Sequence, residues 1–202
     1  NWKIRPAAGL YFRRSDAAKV AMPSAERIVS RVRYWDLAAT ELSAANPDPD
    51  LTSGVLLGKY DNGRLVVLDV VRGRWRASTV REIVKKTAES DGKKVRIGLS
   101  QDPGQAGKDQ AQSYVTMLAG YTVEIRRESG DKVVRAEAFA SQWQVGNVDY
   151  VDAAWNDPYL GQLEGFPDAN HDDDVDASAG AFTLLTSKVS KKPAVKGSRV
   201  YG

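Results

Sequence analysis

The alternation of apolar and polar positions divides this chain into a regular series of elements. Val32-Arg33-Tyr34-Trp35-Asp36-Leu37-Ala38 is aromatic and aliphatic, and reads as a buried strand. Two further strands follow at 53–60 and 64–72, split by Asp61-Asn62-Gly63, whose Asn-Gly pair allows the positive φ angles of a tight hairpin turn. Val80, Ile83, Val84, Thr87 and Ala88 fall at helical spacing, so 78–90 predicts a helix that stops at Asp91-Gly92. A strand over 95–99 runs into Ser100-Gln101-Asp102-Pro103-Gly104. The pattern then predicts a helix over 106–119, a strand over 121–127, a helix over 132–144, a short strand over 148–151, and helices over 155–164 and 172–186. Residues 1–30 have weak periodicity, interrupted by Arg13-Arg14 and Met22-Pro23-Ser24, and read as a linker or arm. From 187 to 202 the chain is rich in Lys, Ser and Gly without a core face, which predicts a basic flexible tail. The order predicts one α/β domain over 31–186, with a central mixed sheet of five or more strands flanked by helices. It is antiparallel at the hairpin and parallel where helices cross over.

Composition narrows the chemistry. The 202 residues are 42% hydrophobic, enough for a core, yet no stretch of about 18 apolar residues occurs that would span a membrane. The start, Asn1-Trp2-Lys3, has no signal-peptide pattern and reads as a piece of a longer protein. The absence of cysteine excludes disulfides and thiolate metal sites, and suits a reducing cytoplasm. With a single histidine, a zinc site built on several imidazoles is impossible. Any metal must therefore be held by carboxylates, which selects magnesium, manganese or calcium.

The formal net charge is +3, and its distribution says more than its size. Basic residues gather at Arg72-Gly73-Arg74-Trp75-Arg76, Lys85-Lys86, Lys93-Lys94, Arg126-Arg127 and from Lys188 to Arg199, whereas acids concentrate in 168–176. A basic body around one acidic spot suits a polyanion ligand beside a metal, although each cluster also reads as ordinary solvated surface.

Three acidic positions stand out. Asp36 lies in an otherwise apolar strand, where an unpaired carboxylate is costly to bury; a salt-bridged or strand-end Asp is the alternative. Asp102 lies just past the carboxyl end of a strand, where α/β sheets place ligands, or it belongs to a plain Asp-Pro-Gly turn. The third is Asn170-His171-Asp172-Asp173-Asp174-Val175-Asp176. At about 100° per residue, with Asp172 at zero, Asp176 falls near 40°, Asp173 near 100° and Asp174 near 200°. Val175, Ala179 and Phe182 fall between about 280° and 340°, as a core stripe. Asp172, Asp173 and Asp176 thus share one arc and Asp174 points elsewhere. Helix-start acids are favourable singly, but three on one arc call for a cation. The Asp172-x-Asp174-x-Asp176 spacing begins like an EF-hand but fails at Ala177 and Thr183. Gly104-Gln105-Ala106-Gly107-Lys108-Asp109 lacks the spacing and the Ser or Thr of a phosphate-binding loop. A carboxylate on an early strand, one after a middle strand and a group on a late helix can converge on two metal ions of the kind that drive phosphodiester cleavage.

Tyr34-Trp35-Asp36-Leu37-Ala38-Ala39-Thr40, Asp102-Pro103-Gly104-Gln105-Ala106-Gly107-Lys108 and His171-Asp172-Asp173-x-x-Asp176-Ala177 resemble the C-terminal nuclease domain of tailed-phage large terminase subunits, in order over about residues 30–186. The resemblance implies a ribonuclease-H-like fold and cleavage of concatemeric viral DNA during packaging into the prohead, with two magnesium or manganese ions and little base specificity. It implies Asp36 and Asp102 as metal ligands and Asp173 as the principal ligand from the last helix, with Asp176 and Asp172 next. Lys108 is then placed for a DNA phosphate or the active-site water network, or is an exposed helix-start lysine. Arg72, Arg74 and Arg76 fit a structural role first and a DNA-contacting rim second, since arginine neutralises phosphates without reading sequence. The implied partners are double-stranded DNA, an ATPase motor domain preceding this one in the full-length chain, the portal and the small terminase subunit, in the host cytoplasm and with no membrane. The isolated domain is expected to be a monomer. Two other readings compete: another ribonuclease-H-like nuclease of resolvase or transposase type, and a catalytically silent module that binds DNA or the portal.

Overall fold

The computed structural model describes residues 9–38, 46–127 and 131–187; Ala39 and Thr40 of the first motif and the tail from Lys188 lie outside them. The elements run β1 (Ala18–Val20), β2 (Ile28–Asp36), β3 (Thr52–Tyr60), β4 (Leu65–Gly73), α1 (Ala77–Asp91), β5 (Arg96–Gln101), α2 (Gln105–Met117), β6 (Val123–Arg127), α3 (Lys132–Gln144), β7 (Val148–Val151), α4 (Asn156–Gly165) and α5 (Asp173–Thr186). The strands form one seven-stranded sheet in the order β1-β7-β4-β3-β2-β5-β6. β2, β3 and β4 pair antiparallel, and β5, β6, β7 and β1 join parallel, as the hairpin and the helical crossovers require. The hairpin turn closes at Gly63 with a φ of +88°, whereas Asn62 does not take a positive φ, so only one of the two positive angles that an Asn-Gly pair allows is used. Among the described residues no helix is long and apolar enough to cross a membrane.

Both faces of the sheet are covered, which is why β2 reads as a continuous apolar run. Successive side chains point to opposite faces, so Tyr34 and Trp35 enter different cores. Val32, Tyr34, Val55 and Leu57 pack with Phe139 and Trp143 of α3, Leu160 of α4, and Ala177, Ala181 and Leu184 of α5. Trp35, Ile97 and Leu99 pack with Val80, Val84 and Ala88 of α1 and with Tyr114 and Leu118. Buried on the Trp35 face, Arg33 donates through Nε to Asp91 at 2.8 Å and through Nη2 to Asp91 at 2.9 Å and Asp69 at 2.8 Å. Burial works against its charge, but the two carboxylates outweigh it and hold the guanidinium above its usual value.

Residues 9–30 depart from the expected linker. Phe12 is fully buried against Phe139, Trp143 and Phe166. Trp143 Nε1 donates to the Arg13 carbonyl at 2.8 Å, and β1 extends the sheet beside β7. A three-residue edge strand is too short to show a period, and a lone Phe beside two arginines carries no face. Both signals therefore need the partner surface to become visible.

α5 lies unusually close to the sheet because small residues face the Tyr34 ring. A Cβ at Gly180 or at Gly98 would fall within the ring's van der Waals envelope. Gly180→Ala is therefore expected to destabilise the domain by about 1–3 kcal/mol, the usual range for overpacking. The urea midpoint measures this; a midpoint equal to wild type would mean that α5 is not seated on Tyr34.

Candidate active site

The three acidic motifs meet at one end of the sheet. Asp36 is the last residue of β2, and its cross-strand partner is Ser53 of β3. Partners in an antiparallel pair project from the same face, so Asp36, Ser53 and Arg72, the partner of Ser53 on β4, share the face that α5 covers. Ser100 of β5 donates to Asp36 Oδ1 at 3.4 Å. Two residues on, Asp102 is exposed in the turn before α2. That turn is held tightly: a Cβ at Gly107 would collide with the Asp102 carbonyl. The Gly107 of the Asp102–Lys108 motif is thus a close-approach glycine, not part of a phosphate loop. Gly107→Ala is expected to displace Asp102 and to cut any activity that depends on it by about 10²-fold, the scale of a 1 Å misplacement. Thermal denaturation should show only a modest change in parallel. Full activity in this variant would dissociate Asp102 from the site.

The acidic helix start is arranged differently from the helical-wheel expectation. Asp174, expected to point away, is completely buried and turned to the sheet. It accepts from Ser53 Oγ at 2.6 Å and lies 3.1 Å from Arg72 Nη2, an ion pair whose geometry leaves Asp174 Oδ2 and Arg72 Nε without aligned hydrogen bonds. Burial pushes its carboxyl up to about 6 against the lowering pull of Arg72 and Ser53. Asp173, also buried, accepts from Gln162 Nε2 at 3.2 Å, while Gln162 Oε1 accepts from the Asp174 N–H at 2.7 Å. Burial raises Asp173 above the ordinary carboxylate value, partly offset by its own backbone N–H. Asp172 and Asp176 turn instead towards α3: Lys132 Nζ lies 2.5 Å from Asp172 and 3.6 Å from Asp176, and Arg135 Nη2 lies 3.1 Å from Asp176. A wheel fixes angles within a helix but not what stands around it. α5 is buried over a wider arc than the expected stripe, with Ala177, Ser178, Ala181 and Leu185 also inside, and this arc takes in Asp173 and Asp174 while Asp172 and Asp176 stay half-buried beside it.

The arginines given a structural role first and a rim second are mostly committed inward. Arg72 serves Asp174, and Arg74 donates to the Pro49 carbonyl at 2.7 Å and to Asp48 at 2.6 Å; Arg76 is exposed at the start of α1. His171 faces Asp48 at 2.8 Å and Asp50 at 3.3 Å, and the Asp48 carboxylate raises its pKa. Lys108 is exposed on the first turn of α2. Sequence reasoning passed over Ser53, Ser100 and Gln162, which hold the acids in place. Nothing in their local pattern distinguishes them from ordinary strand and helix residues.

The donors gathered here are carboxylate oxygens, which fit a hard divalent ion. Asp173, buried and with a raised pKa, is a group that a cation would stabilise, whereas Asp174 already faces Arg72. Among the described residues, no three acidic or histidine side chains stand close enough to form a full ligand set by themselves.

A sequence model of the terminase RNase H-like domain matches residues 33–184. No curated protein matches the chain. Several solved structures share its fold. The human cytomegalovirus terminase nuclease domain, manganese-soaked with an inhibitor bound, superposes with a TM-score of 0.59 at 14% identity, covering 87% of this chain and 95% of that one. The large terminase nuclease of thermophilic phage G20c with bound zinc gives 0.60 at 15% identity, covering 85% and 95%. The Thermus phage P74-26 large terminase nuclease domain gives 0.56 at 15% identity, covering 86% and 94%. The mixed sheet with helices on both faces is the RNase H-like fold.

Proposed function

This chain belongs to the terminase RNase H-like domain family, and from that premise we propose that it is a divalent-metal-dependent endonuclease that cuts concatemeric viral DNA during genome packaging, with little sequence specificity. The observation that carries the reading is the meeting of Asp36, Ser53 and the Asp173-Asp174 pair at the end of β2, next to Ser100 and the Asp102 turn. Related nuclease domains described with manganese, zinc, magnesium or cobalt support a divalent ion here.

Asp36, Asp102 and Asp173 would hold the metal, two magnesium or manganese ions in the full reading. Asp172 and Asp176 come next, because Lys132 and Arg135 already balance their charge. When bound, such ions activate water and steady the leaving oxygen of a phosphodiester. The chain itself orients the carboxylates: Ser100 steers Asp36, Gln162 holds Asp173 at the helix start, and Gly107 fixes the turn of Asp102. Arg72 and Ser53 neutralise and hold Asp174, so that this acid anchors α5 to the sheet. Double-stranded DNA is the substrate; an ATPase motor domain, the portal and the small terminase subunit are the partners, in the host cytoplasm.

The test is nicking of supercoiled plasmid by the chain with manganese. Cleavage should disappear with EDTA and in Asp36→Asn and Asp102→Asn. Cleavage that persists in both substitutions would remove the site; a wild-type chain that never cuts would favour a silent binding module.

A further inference from the structure

The basic residues of this domain differ in what their charges already face. Arg33, Arg72 and Arg74 hold carboxylates within the fold, and Arg96 lies 3.3 Å from Glu124. Lys108 and Arg127 are both exposed, and neither pairs with a carboxylate among the described residues. A cation that is already paired must surrender its partner to take a phosphate, whereas a solvated one releases only counterions. Exposed lysines elsewhere, such as Lys85 and Lys86 of α1, are solvated in the same way, so it is position that singles out Lys108 and Arg127.

Their positions also agree. Lys108 starts α2 and Arg127 ends β6, yet both line one cavity of about 320 Å³ with Gln101 and Gln105. Arg127 is the register partner of Gln101, at the carboxyl end of β5 and next to the turn that carries Asp102. Arg127 borders a second cavity as well, of about 200 Å³, where Arg126 and Arg135 face Thr183 of α5. The two cavities share Arg127 and lie between the Asp102 turn and the acidic helix. Their linings supply cations and amides; the one carboxylate, Asp176, is already paired with Arg135, and the one ring, Tyr34, is buried, a chemistry that holds phosphates without reading bases.

We propose that these two cavities, on either side of Arg127, form a track for the sugar–phosphate backbone of the DNA, in which Lys108 and Arg127 each hold a phosphate beside Asp102. The proposal rests on the nuclease reading and names where its substrate lies. It moves the DNA-contacting surface from the Arg72–Arg74 segment at the end of β4 to the β5–β6 side of the sheet.

Fluorescence anisotropy of a labelled duplex of about 30 base pairs, in EDTA so that nothing is cut, tests it from about 50 to 200 mM salt. Lys108→Ala/Arg127→Ala should weaken binding by about tenfold or more, with the slope of log K against log salt shallower by nearly 2, at about 0.9 per lost phosphate. Lys85→Ala/Lys86→Ala removes the same charge from exposed positions on α1 and should stay within about twofold of wild type. Arg127→Lys, paired with intact Lys108, should restore most of the affinity. The track is overturned if the Lys108/Arg127 variant binds with wild-type affinity and slope, or if the α1 control weakens binding equally. A wild-type chain that binds no duplex overturns the track too, and plasmid nicking then distinguishes that failure from failure of the nuclease reading.

Discussion

Asp36→Asn should reduce manganese-dependent nicking by about 10³-fold while the domain stays folded. The size follows from the several kcal/mol that a bound metal contributes to phosphodiester cleavage, with each 1.4 kcal/mol worth tenfold in rate. The substitution keeps the shape of the side chain and an oxygen for Ser100, but removes the negative charge that a cation needs. Because Asp36 closes β2 at the rim of the sheet and is half-buried, the denaturation midpoint should move little. Asp173→Asn should cause a comparable loss. Asp172→Asn, which frees Lys132 from a close carboxylate, should leave cleavage within about tenfold of wild type, since it changes charge near the site and not the principal ligands. Equal losses at Asp172 and Asp173 would reassign the ligand set of α5; an active Asp36→Asn would remove β2 from the site.

Arg33→Met should be the most destabilising single change in the fold, by about 3–5 kcal/mol, the range for breaking a buried ion pair by removing one partner. Arg33 is 2% exposed, and its two main acceptors come from different elements, Asp91 at the end of α1 and Asp69 on β4; it also donates to the Gly54 carbonyl at 2.9 Å. Methionine fills most of the volume but leaves the Asp91 carboxylate, 9% exposed at its side chain, without its cation. The loss is therefore a stranded charge and not a cavity. Adding Asp91→Leu should recover much of the stability, because an apolar pair of similar volume avoids the desolvation cost of both ions. Urea denaturation of the two variants measures this. If the double variant is no more stable than Arg33→Met, the loss comes from packing and not from the uncompensated acid.

Much of the chain was legible before its structure. The hairpin at Asn62-Gly63 is set by φ preferences that are local, and α1 and α3 followed from apolar spacing within single helices. Asp36 was marked because a carboxylate in an apolar strand is costly wherever it folds, Asp102 by its place past a strand end, and the 172–176 run by its density of charge. Other features stayed hidden. Residues 9–30 looked like a linker because the partners of Phe12 are Phe139, Trp143 and Phe166, more than a hundred positions away. Arg72 and Arg74 were given a structural role first and a DNA rim second, but their partners, Asp174 and Asp48, cannot be assigned to them from spacing.

By itself, the sequence determined the element order from β2 onward, the mixed sheet and the family, since each depends on local conformational preference or on residue type. Only the tertiary structure decided how the acidic run at 172–176 divides. Asp172 and Asp176 turn to α3, Asp173 to Gln162, and Asp174 inward to Ser53 and Arg72. The reason is physical: the direction and protonation of a carboxylate on a helix are set by what packs against that helix, and here the neighbours come from other elements, from α4 just before it to β3 and β4 more than a hundred positions away.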